Sequence, residues 1–345
     1  MTYAHYIAGE WVTDDAVSIN INPSNIDDIV GEFSRGDAAR VDEAVAAANA
    51  AQPDWAAASP QLRHDVLEKA SNLITSRKDE LGRLLSREEG KTLAEGIGET
   101  MRAAQVFKFF AGEAIRNVGD AVASIRPGID VTVEREAVGT IGLITPWNFP
   151  IAIPAWKLAP ALAYGNAVVM KPAELTPGCA WELAKILHEA GCPTGVFNLV
   201  MGPGSTVGAR IVEHPGIDAI SFTGSVATGN TIAVQCASTG KRVQMEMGGK
   251  NPLVVVDDAD LDVAVATAIN GAFFSTGQRC TASSRLIVTA GIHDAFLEKL
   301  TSAAANLIVG DALDAATQIG PVVDQKQLDQ NLRYLKLASN EGCDV

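Results

Sequence analysis

The sequence has little cysteine, with five residues scattered through 345 positions: Cys179, Cys192, Cys236, Cys280 and Cys343. They form no Cys-x-x-Cys pair and no cysteine and histidine ligand spacing, which excludes a disulfide framework and a zinc site. An odd, unpaired set is typical of a reducing compartment. We therefore expect a cytoplasmic protein that needs no metal.

Long apolar runs and an excess of positive charge are also missing. No stretch of about 18 or more apolar residues occurs, and the N-terminus lacks the charged and apolar regions of a signal peptide. The chain carries 27 Lys and Arg against 41 Asp and Glu, a net charge of −14. This negative surface repels phosphate backbones and anionic lipids, so we expect neither a nucleic acid nor a membrane as partner.

The remaining composition, 47% apolar and 20% charged, is that of a globular protein long enough for about two or three domains. Residues 41–52 and 61–117 have apolar positions at helical spacing, interrupted near Pro53 and Gly90. Residues 124–138 alternate around a Pro-Gly turn and predict an exposed two-stranded hairpin, which invites a partner chain.

From residue 139 to residue 256, short apolar runs alternate with helical stretches, which predicts βαβ units in a parallel sheet with helices on both faces. Helices over 260–274 and 293–307, with a strand over 285–289 between them, extend the pattern. A last helix over 325–339 should end at Gly342, a suitable left-handed position. The final residues look like the start of a strand, so we expect the chain to end in mid-domain.

Two glycine turns follow predicted strands. The run VMGPGSTVG places Gly204 and Gly208 at the start of a helix, where a backbone free of side chains can approach a pyrophosphate. Its spacing departs from the dinucleotide fingerprint by one residue, so an ordinary strand-to-helix turn is an alternative. A second turn, SFTGS, places Gly224 and Ser225 after the next strand and strengthens the case for a dinucleotide site.

The strand NAVVMK ends in KPAE, which puts the ammonium of Lys171 and the carboxylate of Glu174 at the sheet edge where such folds bind ligands. Lys171 can donate to ribose hydroxyls, and Glu174 can accept from them. Two solvated loop charges are the alternative.

Three further residues are candidates for catalysis. Cys280 lies between a helix and a strand among small polar residues, unlike a buried structural cysteine. Glu246 lies near a strand end between Met245 and Met247, a setting that predicts a partly desolvated carboxylate with a raised pKa. The amide of Asn148, in TPWNFP, can donate to an oxyanion. From the residues alone, a structural cysteine, a salt-bridged glutamate and a turn-forming asparagine remain alternatives.

The motifs TPWNFP, KPAE, SFTGS, EMGGKNP and FFSTGQRC occur together in the order and spacing of the aldehyde dehydrogenase superfamily, which this chain resembles from IAGEWV to its end. The resemblance implies an α/β fold with a doubly wound parallel-sheet cofactor domain, an α/β catalytic domain and a small β oligomerisation hairpin. We expect the cofactor domain over 1–123 and 139–246, the hairpin over 124–138 and an incomplete catalytic domain over 247–345.

By motif position, the resemblance makes Cys280 the nucleophile, Glu246 the general base and Asn148 the oxyanion donor. It also implies NAD as cofactor, with NADP as an alternative, because Glu174 would repel a 2′-phosphate. Lys171 and Glu174 would hold the adenosine ribose, Ser225 and Gly204 would lie along the adenine and pyrophosphate, and Trp147 would line the cleft. The full expected cofactor set is Ile144, Thr145, Pro146, Trp147, Lys171, Glu174, Gly204, Gly208, Phe222, Thr223, Gly224, Ser225, Met247 and Gly248.

The whole pattern most resembles bacterial members that oxidise 2,5-dioxopentanoate, also called α-ketoglutarate semialdehyde. The expected substrate residues are Phe149, Trp156, Phe274, Arg279 and Thr281. The aromatic residues suit aliphatic or aromatic aldehydes equally well, whereas an acidic semialdehyde needs a cationic anchor, for which Arg279 and Arg102 are the candidates.

Two rival interpretations remain. A CoA-acylating semialdehyde dehydrogenase would pass the acyl group to CoA, but such relatives generally lack a glutamate at the position of Glu246. A non-catalytic relative would have an inert Cys280. The family's downstream Glu-x-Phe-Gly-Pro motif is absent from these 345 residues. We therefore expect little turnover from this chain alone, and a homodimer or homotetramer for a full-length protein.

Overall fold

The computed structural model describes residues 2–344. The strands, in chain order, are β1 (Thr2–Tyr3), β2 (His5–Ile7), β3 (Glu10–Val12), β4 (Val17–Ile21), β5 (Ile29–Ser34), β6 (Asp120–Ala123), β7 (Asp130–Val133), β8 (Thr140–Ile144), β9 (Ala167–Lys171), β10 (Phe197–Leu199), β11 (Ala219–Gly224), β12 (Arg242–Met247), β13 (Asn251–Val255) and β14 (Ser283–Val288). The α-helices are α1 (Ala38–Ala57), α2 (Pro60–Ser76), α3 (Lys78–Glu89), α4 (Leu93–Ala114), α5 (Ala152–Ala163), α6 (Gly178–Ala190), α7 (Ala209–Glu213), α8 (Val226–Thr239), α9 (Leu261–Phe273), α10 (His293–Ala305) and α11 (Gln325–Asn340).

The largest sheet has the strand order β12-β11-β8-β9-β10-β2-β3. Strands β8 to β12 are parallel, and β2 and β3 extend the sheet in antiparallel pairing beside β10. The chain builds outward from β8 through β9 to β10, and then returns to the other side of β8 to form β11 and β12. The predicted doubly wound sheet is confirmed, with its switch point between β8 and β11.

Both faces of this sheet are covered, which explains why β8 and β9 are buried at every position. One core cluster includes residues of α2, α4, α5 and α6, among them Leu67, Phe107 and Leu158. The other includes residues of α1, α7 and α8, among them Val45 and Ile211. Alternate strand side chains supply both clusters, so burial on both faces holds the strand ends in fixed positions.

The first helical section differs from its prediction near Pro53. Helix α1 begins after the N-cap Asp37, whose side chain accepts from the backbone of Ala39 and Arg40, and continues through Pro53 to Ala57. The predicted interruption at this proline is wrong. Trp55 anchors the last turn, because its indole is buried and donates to the carbonyl of Leu162 at 3.1 Å.

The following section, expected over 61–117, consists of three helices. Gly90 ends α3 with a left-handed φ of 95°, in the place where an interruption was predicted. Helix α4 then begins with a capping box, in which the side chains of Thr92 and Glu95 bond each other's backbone N–H.

The predicted hairpin exists, but its strands lie elsewhere. Strands β6 and β7 pair in antiparallel fashion from Asp120 with Val133 to Ala123 with Asp130, and every residue of both strands is exposed. The expected start at residue 124 is therefore wrong, and residues 134–138 form no strand. The Pro-Gly turn lies at the centre of the hairpin, so the first strand must precede Ser124.

A second, smaller parallel sheet, β13 with β14, packs with α9 and α10 around Val255, Ala268 and Phe296. Helix α11 ends as predicted, since Gly342 follows it with a φ of 80°. Residues 343 and 344 belong to no strand, so the expected strand start is wrong for them, and Val345 lies outside the described residues. Within residues 2–344, no helix has the length and apolarity needed to cross a membrane.

Candidate active site

The loop that carries Cys280 follows α9. A 3₁₀ turn over Phe274–Gly277 contains two residues with positive φ, Ser275 and Thr276, at 51° and 55°. Left-handed backbone is unfavourable for such residues and persists where the surroundings hold it. Glu95 provides that hold, because its carboxylate accepts from the backbone N–H and the hydroxyl of Ser275 at 2.7 and 3.1 Å. Cys280 follows this turn and is exposed.

Two asparagines attach the Cys280 loop to the rest of the protein. The side-chain amide of Asn148 donates to the carbonyl oxygen of Gln278 at 2.8 Å. The amide of Asn251 donates to the carbonyl oxygens of Cys280 and Ala282 at 2.6 and 3.2 Å. The structure thus brings Asn148 and the Cys280 loop together, as predicted. Asn251 was missed, although it belongs to the EMGGKNP motif.

The buried ammonium of Lys91 contacts the backbone of Asn148 and helps to fix its position. Lys91 contacts the carbonyl oxygen of Asn148 and lies 2.8 Å from a carboxylate oxygen of Glu99. The other oxygen of Glu99 accepts from the backbone N–H of Ile151 and Ala152, at the start of α5. Burial acts to lower the pKa of Lys91, but Glu99 and Glu89 outweigh it, so the pKa is raised and the charge is retained.

Lys91 and Glu99 were not predicted as site residues. The local signal was weak, because EEGK looks like a helix end. Lys91 also lies 3.6 Å above the ring of Phe149. This ion pair and ring contact fix the segment that follows β8, from which the Asn148 amide extends.

Glu246 does not have the predicted surroundings. It lies on β12 and is exposed, so the expected desolvation between two methionines is wrong. Met245 and Met247 point to the opposite face of the strand, because side chains alternate along it. Met247 packs over Gly229, where an added Cβ would lie 2.5 Å from its sulfur.

A hydrogen-bonded chain of side chains runs from Glu246 to a buried lysine. The Gln244 amide nitrogen donates to Glu246 Oε1 at 2.9 Å, and its Oε1 accepts from Lys157 Nζ at 3.0 Å and from Ser221 Oγ at 2.5 Å. Lys157 Nζ also lies 2.7 Å from Ser221 Oγ. Burial lowers the pKa of Lys157 to about 8, although the Glu246 charge opposes the shift.

The predicted cofactor residues converge on one edge of the large sheet. Because β8, β9, β10, β11 and β12 are parallel, their carboxyl ends meet there. All fourteen expected residues lie at these ends or directly after them: Ile144, Thr145, Pro146 and Trp147; Lys171 and Glu174; Gly204 and Gly208; Phe222, Thr223, Gly224 and Ser225; Met247 and Gly248. The Ile144 and Phe222 side chains belong to the core, so only their backbones are available to a ligand.

The edge has room and polar groups for a dinucleotide. Gly204 begins a π-helical turn over Gly204–Gly208, and a Cβ added to it would meet open space, while one on Gly208 would approach Lys171 at 3.5 Å. The Thr145 hydroxyl, at the switch point, is buried without a partner among the described residues. Ser225 caps α8 by accepting from the Thr228 N–H at 3.3 Å. These groups fit a polar ligand lying across β8 and β11.

Lys171 and Glu174 have different surroundings. Lys171 is buried, donates to the Pro172 carbonyl at 2.8 Å, and has a pKa lowered by burial to about 8. Glu174 is half-buried, and its carboxylate lies 3.6 Å from the guanidinium of Arg35, which was not predicted for this site.

The expected substrate residues do not all converge. Arg279 and Thr281 line an open cleft of about 470 Å³, together with Thr267, Asn270 and Ser283. Phe274 packs with the core of the smaller sheet, whereas Phe149 lies beneath Lys91. Trp156 is 44% exposed on α5, and Arg102 is exposed on α4.

Comparison with known proteins identifies the arrangement. Residues 11–345 match the model of the aldehyde dehydrogenase family. The chain belongs to this family. The resemblance seen in the five motifs is thereby confirmed, and the chain is that of an aldehyde dehydrogenase that uses NAD(P).

Individual relatives agree with this assignment. This aldehyde dehydrogenase is 43% identical to the α-ketoglutaric semialdehyde dehydrogenase of Bacillus subtilis, covering 100% of this chain and 71% of the relative. A crystal structure of an Escherichia coli NADP-dependent enzyme matches with a TM-score of 0.97 at 38% identity, covering 99% and 71% of the two chains. Betaine aldehyde dehydrogenase from Staphylococcus aureus in complex with NAD⁺ matches with a TM-score of 0.96 at 34% identity, covering 99% and 68%. The expected α/β fold is confirmed.

Proposed function

We propose that this aldehyde dehydrogenase oxidises its substrate through a thioester on Cys280, with Asn148 as oxyanion donor and Glu246 as general base. The observation that carries the proposal is the 2.8 Å hydrogen bond from the Asn148 amide to the Gln278 carbonyl. It holds a side-chain amide against the loop that carries the exposed Cys280, and the second N–H of that amide can donate to a substrate oxygen.

In the first step, the Cys280 thiolate attacks the aldehyde carbon, so a carbon–sulfur bond forms and the carbonyl oxygen becomes an oxyanion. The Asn148 amide and the Cys280 backbone N–H donate to that oxyanion. The carbonyl then re-forms as the same carbon loses its hydrogen as a hydride, which leaves a thioester on Cys280; NAD(P), when bound, would supply the acceptor for that hydride. In the last step, water attacks the thioester carbon while Glu246 takes a proton from it, the carbon–sulfur bond breaks, and the acid and the thiol are released.

For the cofactor, we assign the ribose of the adenosine to Lys171 and Glu174, and the pyrophosphate to the Gly204 turn. Carboxylates at this position accept from ribose hydroxyls and repel a 2′-phosphate, which favours NAD. Arg35 lies 3.6 Å from Glu174 and offsets its charge, which supports acceptance of NADP as well.

For the substrate, we assign 2,5-dioxopentanoate, which would be oxidised to 2-oxoglutarate. Two observations support an acidic semialdehyde. The 43% identical Bacillus subtilis relative is named for this aldehyde. Arg279, the residue before Cys280, lines the open cleft; its guanidinium contacts the carbonyl oxygen of Asn270, and its Nε is buried without a partner among the described residues. A guanidinium in this position suits a distal carboxylate.

The assembly and domain division belong to the same proposal. The exposed β6–β7 hairpin carries unpaired edges, which supports a homodimer or homotetramer. The separate β13–β14 sheet supports a catalytic domain that follows the cofactor domain near residue 247. The free cysteines support a cytoplasmic location.

The direct test measures NADH formation with 2,5-dioxopentanoate in the full-length protein and in its Cys280→Ala variant, beside succinic semialdehyde, betaine aldehyde and propanal. A Cys280-dependent rate that favours the dioxo acid is the expected result. A Cys280-dependent rate that favours another aldehyde would overturn only the substrate. The matched variant Cys343→Ala, at an exposed cysteine far along the chain, should keep the unmodified rate.

A further inference from the structure

Gln244 contacts the proposed general base, Glu246, but has no role in the mechanism proposed above. Gln244 and Glu246 are two positions apart on β12, so their side chains extend from the same face of the strand. On that face Gln244 is the direct cross-strand partner of Ser221 on β11, and Thr223 is the partner of Glu246. Helix α5 brings Lys157 to the same face.

The contacts of Gln244 leave its amide only one orientation. Lys157 Nζ and Ser221 Oγ approach one end of the amide at 3.0 and 2.5 Å. A charged ammonium can only donate, so this end must be the carbonyl oxygen. The amide nitrogen is therefore forced toward Glu246, to which it donates at 2.9 Å. Lys157 is only 8% exposed, so the group that fixes this orientation is largely shielded from solvent.

We infer that Gln244 is a positioning residue for the deacylation step, and that it holds one oxygen of Glu246 so that the other faces the water that cleaves the thioester. This inference rests on the proposed function and deepens it. An exposed glutamate samples several rotamers, and a fixed hydrogen bond to one oxygen reduces that freedom. Orientation matters for the general base, because a displacement of about 1 Å at a reacting group can cost about 100-fold in rate.

The experiment separates deacylation from hydride transfer. An activated ester, p-nitrophenyl acetate, acylates a reactive thiol directly and releases p-nitrophenolate in an initial burst. The steady rate after the burst measures hydrolysis of the acetyl thioester. We compare Gln244→Met, which keeps the length but loses both polar groups, with Gln244→Glu, which keeps the acceptor for Lys157 and Ser221 but loses the N–H. Gln61→Met, on the exposed surface of α2, is the matched control.

We expect both Gln244 variants to keep the unmodified burst and to deacylate at least about tenfold more slowly. Gln61→Met should behave like the unmodified protein. Hydroxylamine cleaves a thioester without needing a base from the protein, so its addition should bring both Gln244 variants to the rate of the unmodified protein treated in the same way. A purely structural role for Gln244 would reduce the burst as well, and hydroxylamine would not correct it.

The outcomes distinguish a failure of the Gln244 inference from a failure of the proposed function. A normal burst followed by unmodified deacylation in Gln244→Met and Gln244→Glu would overturn the inference alone. Slow deacylation in Gln244→Met with normal deacylation in Gln244→Glu would show that the N–H is unnecessary and would also overturn it. A burst that persists in Cys280→Ala would overturn the proposed function, and this inference with it.

Discussion

The side-chain amide of Asn148 donates to the carbonyl oxygen of Gln278, two residues before Cys280, at 2.8 Å. This bond links the segment after β8, in the large sheet, to a loop that precedes β14, in the smaller one. The hydrogen bond uses one amide N–H of Asn148 and thereby directs the second. Asn148 therefore has a structural role, because it links the two sheets, and a proposed chemical role as oxyanion donor. The two roles can be separated by experiment.

We expect Asn148→Ala and Asn148→Asp to slow acylation of Cys280 by about 100- to 1,000-fold, because removing one oxyanion donor costs that much. An aspartate has the same shape but cannot donate. Acylation is measured by the p-nitrophenolate burst, and alkylation of Cys280 by iodoacetamide, which forms no oxyanion, should change far less. Asn331→Ala on α11 is the matched control. Equal losses in acylation and alkylation would contradict the oxyanion role.

The buried pair of Lys91 and Glu99 gives a prediction on stability. Both side chains are almost completely buried and 2.8 Å apart. Lys91→Met leaves Glu99 without its cation, which should lower the free energy of unfolding by about 3–5 kcal/mol. Urea denaturation measures the change. Lys299→Met provides the comparison, because Lys299 and Asp262 also form a pair at 2.6 Å but are half and mostly exposed. That loss should stay within about 1 kcal/mol.

Glu99→Gln tests the same pair from the other side. It keeps an oxygen to accept from Ile151 and Ala152 but removes the charge that balances Lys91. We expect it to destabilise the protein less than Lys91→Met, because the Glu95 side chain still attracts the ammonium. A Lys91→Met variant as stable as Lys299→Met would show that the buried pair contributes nothing beyond a surface pair.

The sequence was informative where function follows from position along a strand. The glycines and polar residues after β8, β9, β10 and β11 predicted a ligand edge, since parallel strands bring their carboxyl ends together. It was uninformative for the support beneath Asn148, because Lys91 lies 57 residues away and looks like part of a helix end. The prediction of the surroundings of Glu246 was wrong for a similar reason. The flanking methionines point away from it, and Gln244, which contacts it, has no local signal of its role.

A pH dependence of stability follows from Glu88. Burial raises its pKa from 4.5 to about 7, although the N–H groups of Gly178 and Cys179 donate to it at 2.8 and 2.9 Å. Because the pKa is higher in the folded state, the folded protein binds more protons than the unfolded chain between pH 4.5 and about 7. The free energy of unfolding should therefore fall as pH rises through this window.

Glu88→Gln cannot ionise and should reduce that slope by up to about 1.4 kcal/mol per pH unit, the value of one proton. Urea denaturation at several pH values between 5 and 7 measures it. Glu298→Gln, at an exposed position on α10, should leave the slope unchanged. Burial also raises the pKa of Glu89, to about 8, so Glu89 contributes to the pH dependence of the free energy of unfolding in every variant. An unchanged slope in Glu88→Gln would mean that Glu88 is ionised throughout the window.

Arg35 should decide how well the protein tolerates a 2′-phosphate. Its guanidinium lies 3.6 Å from Glu174, with 49% and 38% of the two side chains exposed, so the charges offset each other at the expected ribose position. Arg35→Ala leaves Glu174 unopposed, and a dianionic phosphate beside it is then repelled. We expect affinity for NADP to fall about tenfold, about 1.4 kcal/mol, while affinity for NAD changes little. Isothermal titration calorimetry measures both, with Arg83→Ala on the exposed face of α3 as control. Equal losses for NAD and NADP would instead assign Arg35 a role in holding Glu174 in place, and no loss for either would remove it from the cofactor site.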